Sequence, residues 1–332
     1  MAATPQTNTT LAAIAAELMA HERFCLCGHL NPDGDCLGSE LALAAALRQA
    51  GKQVSCLVAT DDPVDGRFAF LPGFEGLMPA SAFDGAFDVF VAVDVPTTER
   101  LADAAAVHGR APLTVTIDHH AVDSRMADLS FTDPEAPSTT TLVWELAGLL
   151  PIERSADVAL CAYTGLATDT GRFQYQNADA VAFSAAAEMV RAGADPALVS
   201  REVYQQRSLA SVRLEAAALG RMELLCGGAG ALSWITWADK EACRAQKADA
   251  EPLVDALRNI AGVRVACMLR EGEGIVRGSL RAKDGTDVAA IARELGGGGH
   301  RAAAGFTFEG TLDEARSALR SRLEQLLEAP SA

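Results

Sequence analysis

Short apolar runs that stop at ionisable residues recur through the first half of this chain. Arg23 to Gly28 leads into His29-Leu-Asn-Pro-Asp33-Gly-Asp35, Phe87 to Val93 into Asp94, and Leu113 to Ile117 into Asp118-His119-His120. Val54 to Ala59 is another apolar run. Runs this apolar read as strands buried on both faces, and such strands belong to parallel sheets covered by helices. Helical patterns at residues 10–20, Leu37 to Ala50, Thr139 to Leu150, Ser155 to Ala167 and Ala180 to Ala192 supply the cover. The first half is therefore expected to be α/β, a mostly parallel sheet with helices on both faces. Its ionisable residues gather past the carboxyl ends of strands, where open α/β sheets bind ligands.

At 332 residues and 49% hydrophobic content, the chain is long enough for two cores. The expected division is a catalytic domain over residues 1–193, a helical linker over 194–220 and a smaller α/β domain over 221–332. In the last, Ala231 to Trp237, Val263 to Leu269, Ile275 to Ala282 and Phe306 to Phe308 read as strands. Val288 to Leu295 and Leu312 to Leu327 read as helices, and Cys226-Gly-Gly-Ala-Gly230 as a hairpin turn. A net charge of -16 argues against coating long duplex nucleic acid, because phosphate attraction supplies most of that affinity. Residues 220–310 nevertheless hold 12 basic and 12 acidic residues, so this segment is neutral and the rest carries the acidity. None of the eight cysteines forms a C-x-x-C pair, which suits a reducing compartment. No signal-peptide pattern or membrane-length apolar run is present. A cytoplasmic protein with no membrane partner is expected.

The chemistry begins at His29, Asp33 and Asp35. Pro32 and Gly34 force a tight backbone, and the two carboxylates lie close enough in sequence to address neighbouring cations. Gly38-Ser39 is read as opening the next helix, whose first N–H groups can meet an anion. Asp-Gly-Asp alone would be a turn and a helix cap, but the upstream histidine favours a ligand loop. Asp94 ends a run too apolar to expose a carboxylate casually. Asp169, in Thr168-Asp-Thr-Gly171, would alone be structural. Four of the six histidines, His29, His119, His120 and His300, fall inside these signatures. Carboxylates and imidazoles without thiolate suit Mn²⁺, with Mg²⁺, Fe²⁺ or Co²⁺ as alternatives. Four carboxylates and two imidazoles exceed the needs of one cation, and two cations ~3.5–4 Å apart would use them. No covalent nucleophile stands out.

A second constellation lies far downstream. Gly296 to Gly299 precede His300 and Arg301, and Arg281 ends Gly278-Ser-Leu-Arg281. Glycines let backbone N–H groups approach a phosphate, and arginine grips it with a bidentate fork.

Gly28 to Asp35, Asp94, Asp118-His119-His120 and Asp169 resemble, in order and spacing, the four motifs of the DHH phosphoesterase superfamily. Gly278 to Gly305 resembles its DHHA1 domain, including the G-G-G-H signature. The subgroup of similar layout and length is that of bifunctional oligoribonuclease/pAp phosphatases. The resemblance implies two Mn²⁺ ions, one on His29, Asp33 and Asp94, the other on Asp35, Asp94, His119 and Asp169. Asp118 would orient a ligand, and His120 would contact the scissile phosphate and help protonate the leaving oxygen. Arg281, Gly297, Gly298, Gly299, His300 and Arg301 would bind the nucleotide's other end, and Ser39 lies in the matching segment. Ala282 and Arg301 depart from the family's more common Ser and Lys. The implied activity is hydrolysis of short oligoribonucleotides to mononucleotides, and of 3′-phosphoadenosine 5′-phosphate (pAp) to AMP and phosphate. Alternatives are hydrolysis of linear di-AMP (pApA), or nucleotide or RNA binding without catalysis. The implied partners are short RNA or nucleotide substrates, with a homodimer left open.

Overall fold

The computed structural model describes residues 6–328. Its first compact unit, Met1–Gln206, is built on six strands. These are β1 (Arg23–Cys27), β2 (Gln53–Val58), β3 (Leu77–Pro79), β4 (Val89–Val93), β5 (Leu113–Asp118) and β6 (Leu129–Thr132). Every pairing is parallel, in the order β3-β2-β1-β4-β5-β6. The helices are α1 (Leu11–Ala20), α2 (Gly34–Gln49), α3 (Ala104–His108), α4 (Thr139–Leu149), α5 (Ala156–Asp169) and α6 (Ala180–Arg191).

Strand alternation explains the layering. Val89, Val91 and Val93 of β4 join the core shared with α2, α4 and α5, whereas Phe90 and Ala92 join the core that holds α3. With both faces covered, the whole strand is buried, as its uninterrupted apolar sequence requires. The strands β3 and β6, absent from the sequence reading, are short edge strands. Two of the four residues of β6 are hydroxyl-bearing.

Glycines set the helix spacing. A Cβ on Gly38 would lie 2.6 Å from the Cys161 carbonyl oxygen, and one on Gly165 would lie 2.2 Å from Thr140 Cγ2. Bare backbone at these points lets α2, α4 and α5 approach closely. Two helix boundaries differ from the sequence reading. The helix α2 starts at Gly34 rather than near Leu37, because Asp33 Oδ1 accepts the Asp35 and Cys36 amides at 3.1 Å each and caps it there. The helix α5 extends to Asp169, so that residue ends the helix instead of following it.

The stretch read as one linker helix is interrupted. It comprises α7 (Pro196–Val199), a π-helical turn at Ser200–Tyr204 and α8 (Leu209–Gly220). The second compact unit begins at Arg207, inside that stretch. Leu214 and Ala218 of α8 share a core with this unit's sheet, and Ser233 Oγ donates to the Ala218 carbonyl at 2.6 Å.

The second unit contains β7 (Glu223–Leu225), β8 (Gly230–Ile235), β9 (Val265–Glu271), β10 (Ile275–Ala282), β11 (Gly298–His300) and β12 (Ala303–Glu309). They form a mixed sheet in the order β11-β12-β10-β9-β8-β7, with only β8 and β9 parallel. A turn at Cys226–Gly228 makes the β7–β8 hairpin. The remaining helices are α9 (Trp237–Cys243), α10 (Leu253–Arg258), α11 (Val288–Glu294) and α12 (Leu312–Glu328). The residues of α10 share one core with the sheet, and those of α11 and α12 share another. Trp237, read as the end of a strand, instead opens α9 behind a Thr236–Asp239 capping box. Among the described residues no helix is long and apolar enough to cross a membrane.

Candidate active site

Strand order reverses between β1 and β4, and a crevice opens past the carboxyl ends of strands at such a switch point. His29 follows β1 and Asp94 follows β4. Asp118 ends β5, with His119 and His120 directly after it. Asp35 lies in the first turn of α2 and Asp169 ends α5. The close approach of these two helices brings both acids to the same place.

His29 Nε2 lies 3.4 Å from Asp94 Oδ2 and 3.9 Å from Asp33 Oδ1. Its Nδ1 is 2.8 Å from the Leu30 carbonyl, so Nδ1 carries a proton and Nε2 is the nitrogen that faces the carboxylates. His119 Nε2 is 3.9 Å from Asp35 Oδ2 and 3.7 Å from Asp94 Oδ1. Three compact groups result: His29 with Cys36 and Asp94, Asp94 with His119 and His120, and Asp35 with His119 and Asp169. Asp94 and His119 each belong to two of them. Asp33 sits at the margin, its side chain 64% exposed and one oxygen committed to the α2 cap. Asp118 stands behind His120, its Oδ1 accepting from His120 Nδ1 at 2.8 Å and from the His119 amide at 2.9 Å.

The buried carboxylates are held by donors that the sequence reading did not assign. Asp35 accepts the Thr139 amide at 2.7 Å, the Thr140 amide at 2.9 Å and the Thr140 hydroxyl at 2.8 Å. The Thr139 hydroxyl donates to Asp94 Oδ1 at 2.8 Å. These groups are the N-terminus of α4, and a helix N-terminus attracts negative charge. Asn177 Nδ2 donates to Asp169 Oδ2 at 3.1 Å. Pro137-Ser-Thr-Thr-Thr141 was the available signal, since a hydroxyl-rich helix start offers many donors at one point. Asp94 itself adopts φ +60°, and its amide donates to the Ile117 carbonyl at 3.0 Å. A left-handed aspartate stores backbone strain of about 1–3 kcal/mol, a feature that gathers at functional sites.

The electrostatics show why a cation fits. Burial, then the charges of Asp94 and Asp169, push Asp35 well above the carboxylate range. Burial also takes Asp169 up to about 6, with His119 opposing and Asp94 adding to the rise. Burial would raise Asp94 too, but the His29 hydrogen bond and the charges of His119 and His120 bring it down to about 2. In His29 and His119 burial opposes the charged form, yet the surrounding carboxylates hold both at about 9. The strongest charges acting on these acids come from one another and from the histidines, not from lysine or arginine. Metal cations suit such a donor set. Cys36 adds sulfur beside His29 and Asp94, although burial first and Asp94 next push its thiol far up, so it is protonated.

The substrate-side residues are placed less uniformly. Ser39 is fully buried inside α2, and its Oγ has no hydrogen-bond partner among the described residues. The reading that Gly38-Ser39 opens a helix toward an anion is corrected, because the helix already begins at Gly34. Arg281 lies in β10, half-buried, with Nη1 donating to the Leu280 carbonyl at 3.0 Å. The glycine run is partly strand: a Cβ on Gly297 would lie 2.1 Å from the Gly305 carbonyl oxygen, and Gly299 has φ +135°. Close packing against β12 therefore requires glycine at both positions, whereas Gly298 faces open space. Arg301 Nε donates to the Gly285 carbonyl. His300 is in β11, but its side chain lies outside the described residues.

A parallel α/β unit with an acid–histidine centre at its switch point, joined to a mixed-sheet unit, defines a metal-site hydrolase architecture. The chain belongs to the DHH family of phosphoesterases: the DHH family N-terminal domain matches residues 23–166, and the DHHA1 domain matches residues 242–329. It is similar to the bifunctional oligoribonuclease and PAP phosphatase NrnA of Thermus thermophilus, at 32% identity over 86% of this chain and 85% of that protein. The Bacillus subtilis protein of the same name is 26% identical, over 86% and 89%. The solved structure of an exopolyphosphatase-related protein from Bacteroides fragilis superposes with a TM-score of 0.90, at 26% identity and 96% coverage of each chain.

Proposed function

We propose that this protein hydrolyses short oligoribonucleotides to mononucleotides, and pAp to AMP and phosphate, with two divalent cations, Mn²⁺ foremost. The observation that carries the reading is the buried convergence of Asp35, Asp94, Asp169, His29 and His119, where the strongest charges acting on the acids come from one another and from the histidines. The names of the relatives supply the substrate class. Bound divalent cations would activate a water and neutralise phosphate oxygens. Asp94, with one oxygen toward His29 and the other toward His119, would be common to both cations, and His119 would hold one of them. The Thr139 and Thr140 donors fix the acids before any ligand arrives. Asp118 fixes His120 through Nδ1, so Nε2 is the nitrogen that would deliver a proton to the leaving oxygen. Arg281, Gly298, His300 and Arg301 would bind the remainder of the nucleotide.

The test is purified protein with Mn²⁺ against pAp, pApA and a length series of labelled oligoribonucleotides. Turnover of pAp and of the short oligomers, abolished by a chelator, is expected. Cleavage of pApA alone would move the reading to linear di-AMP, and no turnover of any substrate would refute it.

A further inference from the structure

One face of the second unit's sheet carries, besides Arg281, cations that the chemistry above leaves unused. Arg277, Ser279 and Arg281 alternate along β10 and so share a face. Arg270 of β9 stands directly opposite Arg277 in the register. Leu253, Val254 and Leu257 of α10 pack with Ala231 and Ile235 of β8 and with Ala266 and Met268 of β9. On β10, Arg277 stays exposed and Arg281 half-buried. Arg270 donates through Nη2 to Ser279 Oγ, while its Nε is buried without a partner among the described residues.

The row continues past β8. Ile235 pairs with Arg270, and the chain then turns through Thr236 into α9 at Trp237. Trp237 is 54% exposed, its Nε1 donates to Glu241 at 3.1 Å, and Lys240 Nζ lies 5.5 Å from its ring centroid. Burial, then the charge of Arg270, lower the Lys240 ammonium, with Glu271 opposing and Arg277 adding to the fall. Glu271 accepts the Trp237 amide at 2.8 Å and its carbonyl accepts from Lys240, Glu241 accepts the indole, and Glu251 acts on Arg270, so three acids partly offset this group. A row of cations, Lys240, Arg270 and Arg277, stands beside an exposed indole in a chain of net charge -16. The DHHA1 match begins at residue 242 and leaves Trp237 and Lys240 outside it.

We propose that Trp237, Lys240, Arg270 and Arg277 form a track for the distal nucleotides of a single-stranded oligonucleotide, one base stacking on Trp237 and backbone phosphates resting on the arginines. Cations along the backbone and an aromatic platform for bases are the two parts of sequence-tolerant single-strand binding. The track rests on the oligonucleotide reading and adds a length preference to it: pAp, with one nucleoside, cannot occupy it.

The test compares kcat/KM for a ribotetranucleotide with that for pAp in the full-length wild type, Trp237→Ala, Trp237→Phe and Arg277→Ala. The tetranucleotide-to-pAp ratio should fall on the order of tenfold in Trp237→Ala and recover in Trp237→Phe. In Arg277→Ala it should fall and lose part of its salt dependence. Ratios equal to wild type in both Trp237→Ala and Arg277→Ala would overturn the track. If the wild type cleaves neither substrate, the phosphoesterase reading fails separately. Fluorescence anisotropy of a labelled tetranucleotide then decides the track: weaker binding to Trp237→Ala supports it, and equal binding overturns it.

Discussion

Asp118→Asn isolates the positioning of His120 from metal binding. A single oxygen, Asp118 Oδ1, accepts both His120 Nδ1 at 2.8 Å and the His119 amide at 2.9 Å. Asparagine keeps the volume and one acceptor, but not the charge. Hydrogen bonds to charged groups contribute about 1.5–3 kcal/mol, and each 1.36 kcal/mol lost in the transition state costs tenfold in rate. The substitution should therefore lower kcat by about 10- to 150-fold with KM for pAp little changed. Burial works against the imidazolium of His120, and the Asp118 hydrogen bond and charge outweigh it. Removing that charge favours the neutral ring, so an alkaline limb that reports this proton moves to lower pH. The assay is steady-state pAp hydrolysis at saturating Mn²⁺, with bound metal measured by atomic emission. A kcat within twofold of wild type, or a loss that follows lost metal, would refute the positioning role.

Thr139→Val removes the hydroxyl donor to Asp94 and should weaken Mn²⁺ binding about 10- to 100-fold by calorimetric titration. Thr139→Ser should recover most of it, and unchanged affinity in the valine variant would sink the idea. Gly38→Ala meets the Cys161 backbone oxygen at 2.6 Å, a contact that only movement of α2 from α5 relieves. Overpacking of this kind costs about 1–3 kcal/mol, visible as a lowered Tm together with weaker metal binding, because Asp35 and Asp169 move apart. A Tm equal to wild type would contradict the close-packing account.

What the sequence disclosed and what it hid follow from how far each feature depends on distant residues. The strands β1, β4 and β5 lie inside the sheet and announce themselves as apolar runs. At the edge, β3 and β6 have a neighbour on one side only, and their sequences carry little apolar pattern. The acids and histidines were legible because each follows or ends a recognisable element. Thr139 and Thr140 were not, since a hydroxyl-rich helix start looks like a cap. It is a cap, with Ser138 accepting the Thr141 amide, and its remaining donors serve Asp35 and Asp94. The position of Cys36 depends on Gly28, where a Cβ would lie 2.0 Å from the sulfur. No local pattern encodes that contact. For Asp33 the cap reading holds, because its Oδ1 accepts two amides of α2, and the same oxygen lies 3.9 Å from His29 Nε2.

The same convergence has a cost that can be measured without any substrate. Burial is the main force raising Asp169 to about 6, His119 opposes it, and neighbouring acids add to it. A carboxyl whose folded pKa is raised destabilises the fold once pH exceeds its unfolded value, and the penalty is full above the folded value. At pH 8 in chelator, removing this charge by Asp169→Asn should therefore stabilise the protein. The ceiling is about 3 kcal/mol, from ~1.36 kcal/mol per unit over roughly two units. A gain of that size corresponds to roughly 6–12 °C in Tm for a unit of this size. At pH 3.5, where the wild-type carboxyl is largely neutral in both states, the gain should vanish. Mn²⁺ at a hundredfold excess over Kd should narrow the difference at pH 8: wild type gains about 2.7 kcal/mol, and the variant, short of a ligand, gains less. Thermal denaturation at the two pH values, with and without metal, reads all four quantities. A variant less stable than wild type in chelator at pH 8 would show that Asn177 and the histidines already satisfy Asp169, and that the unbalanced charge does not draw the cations in.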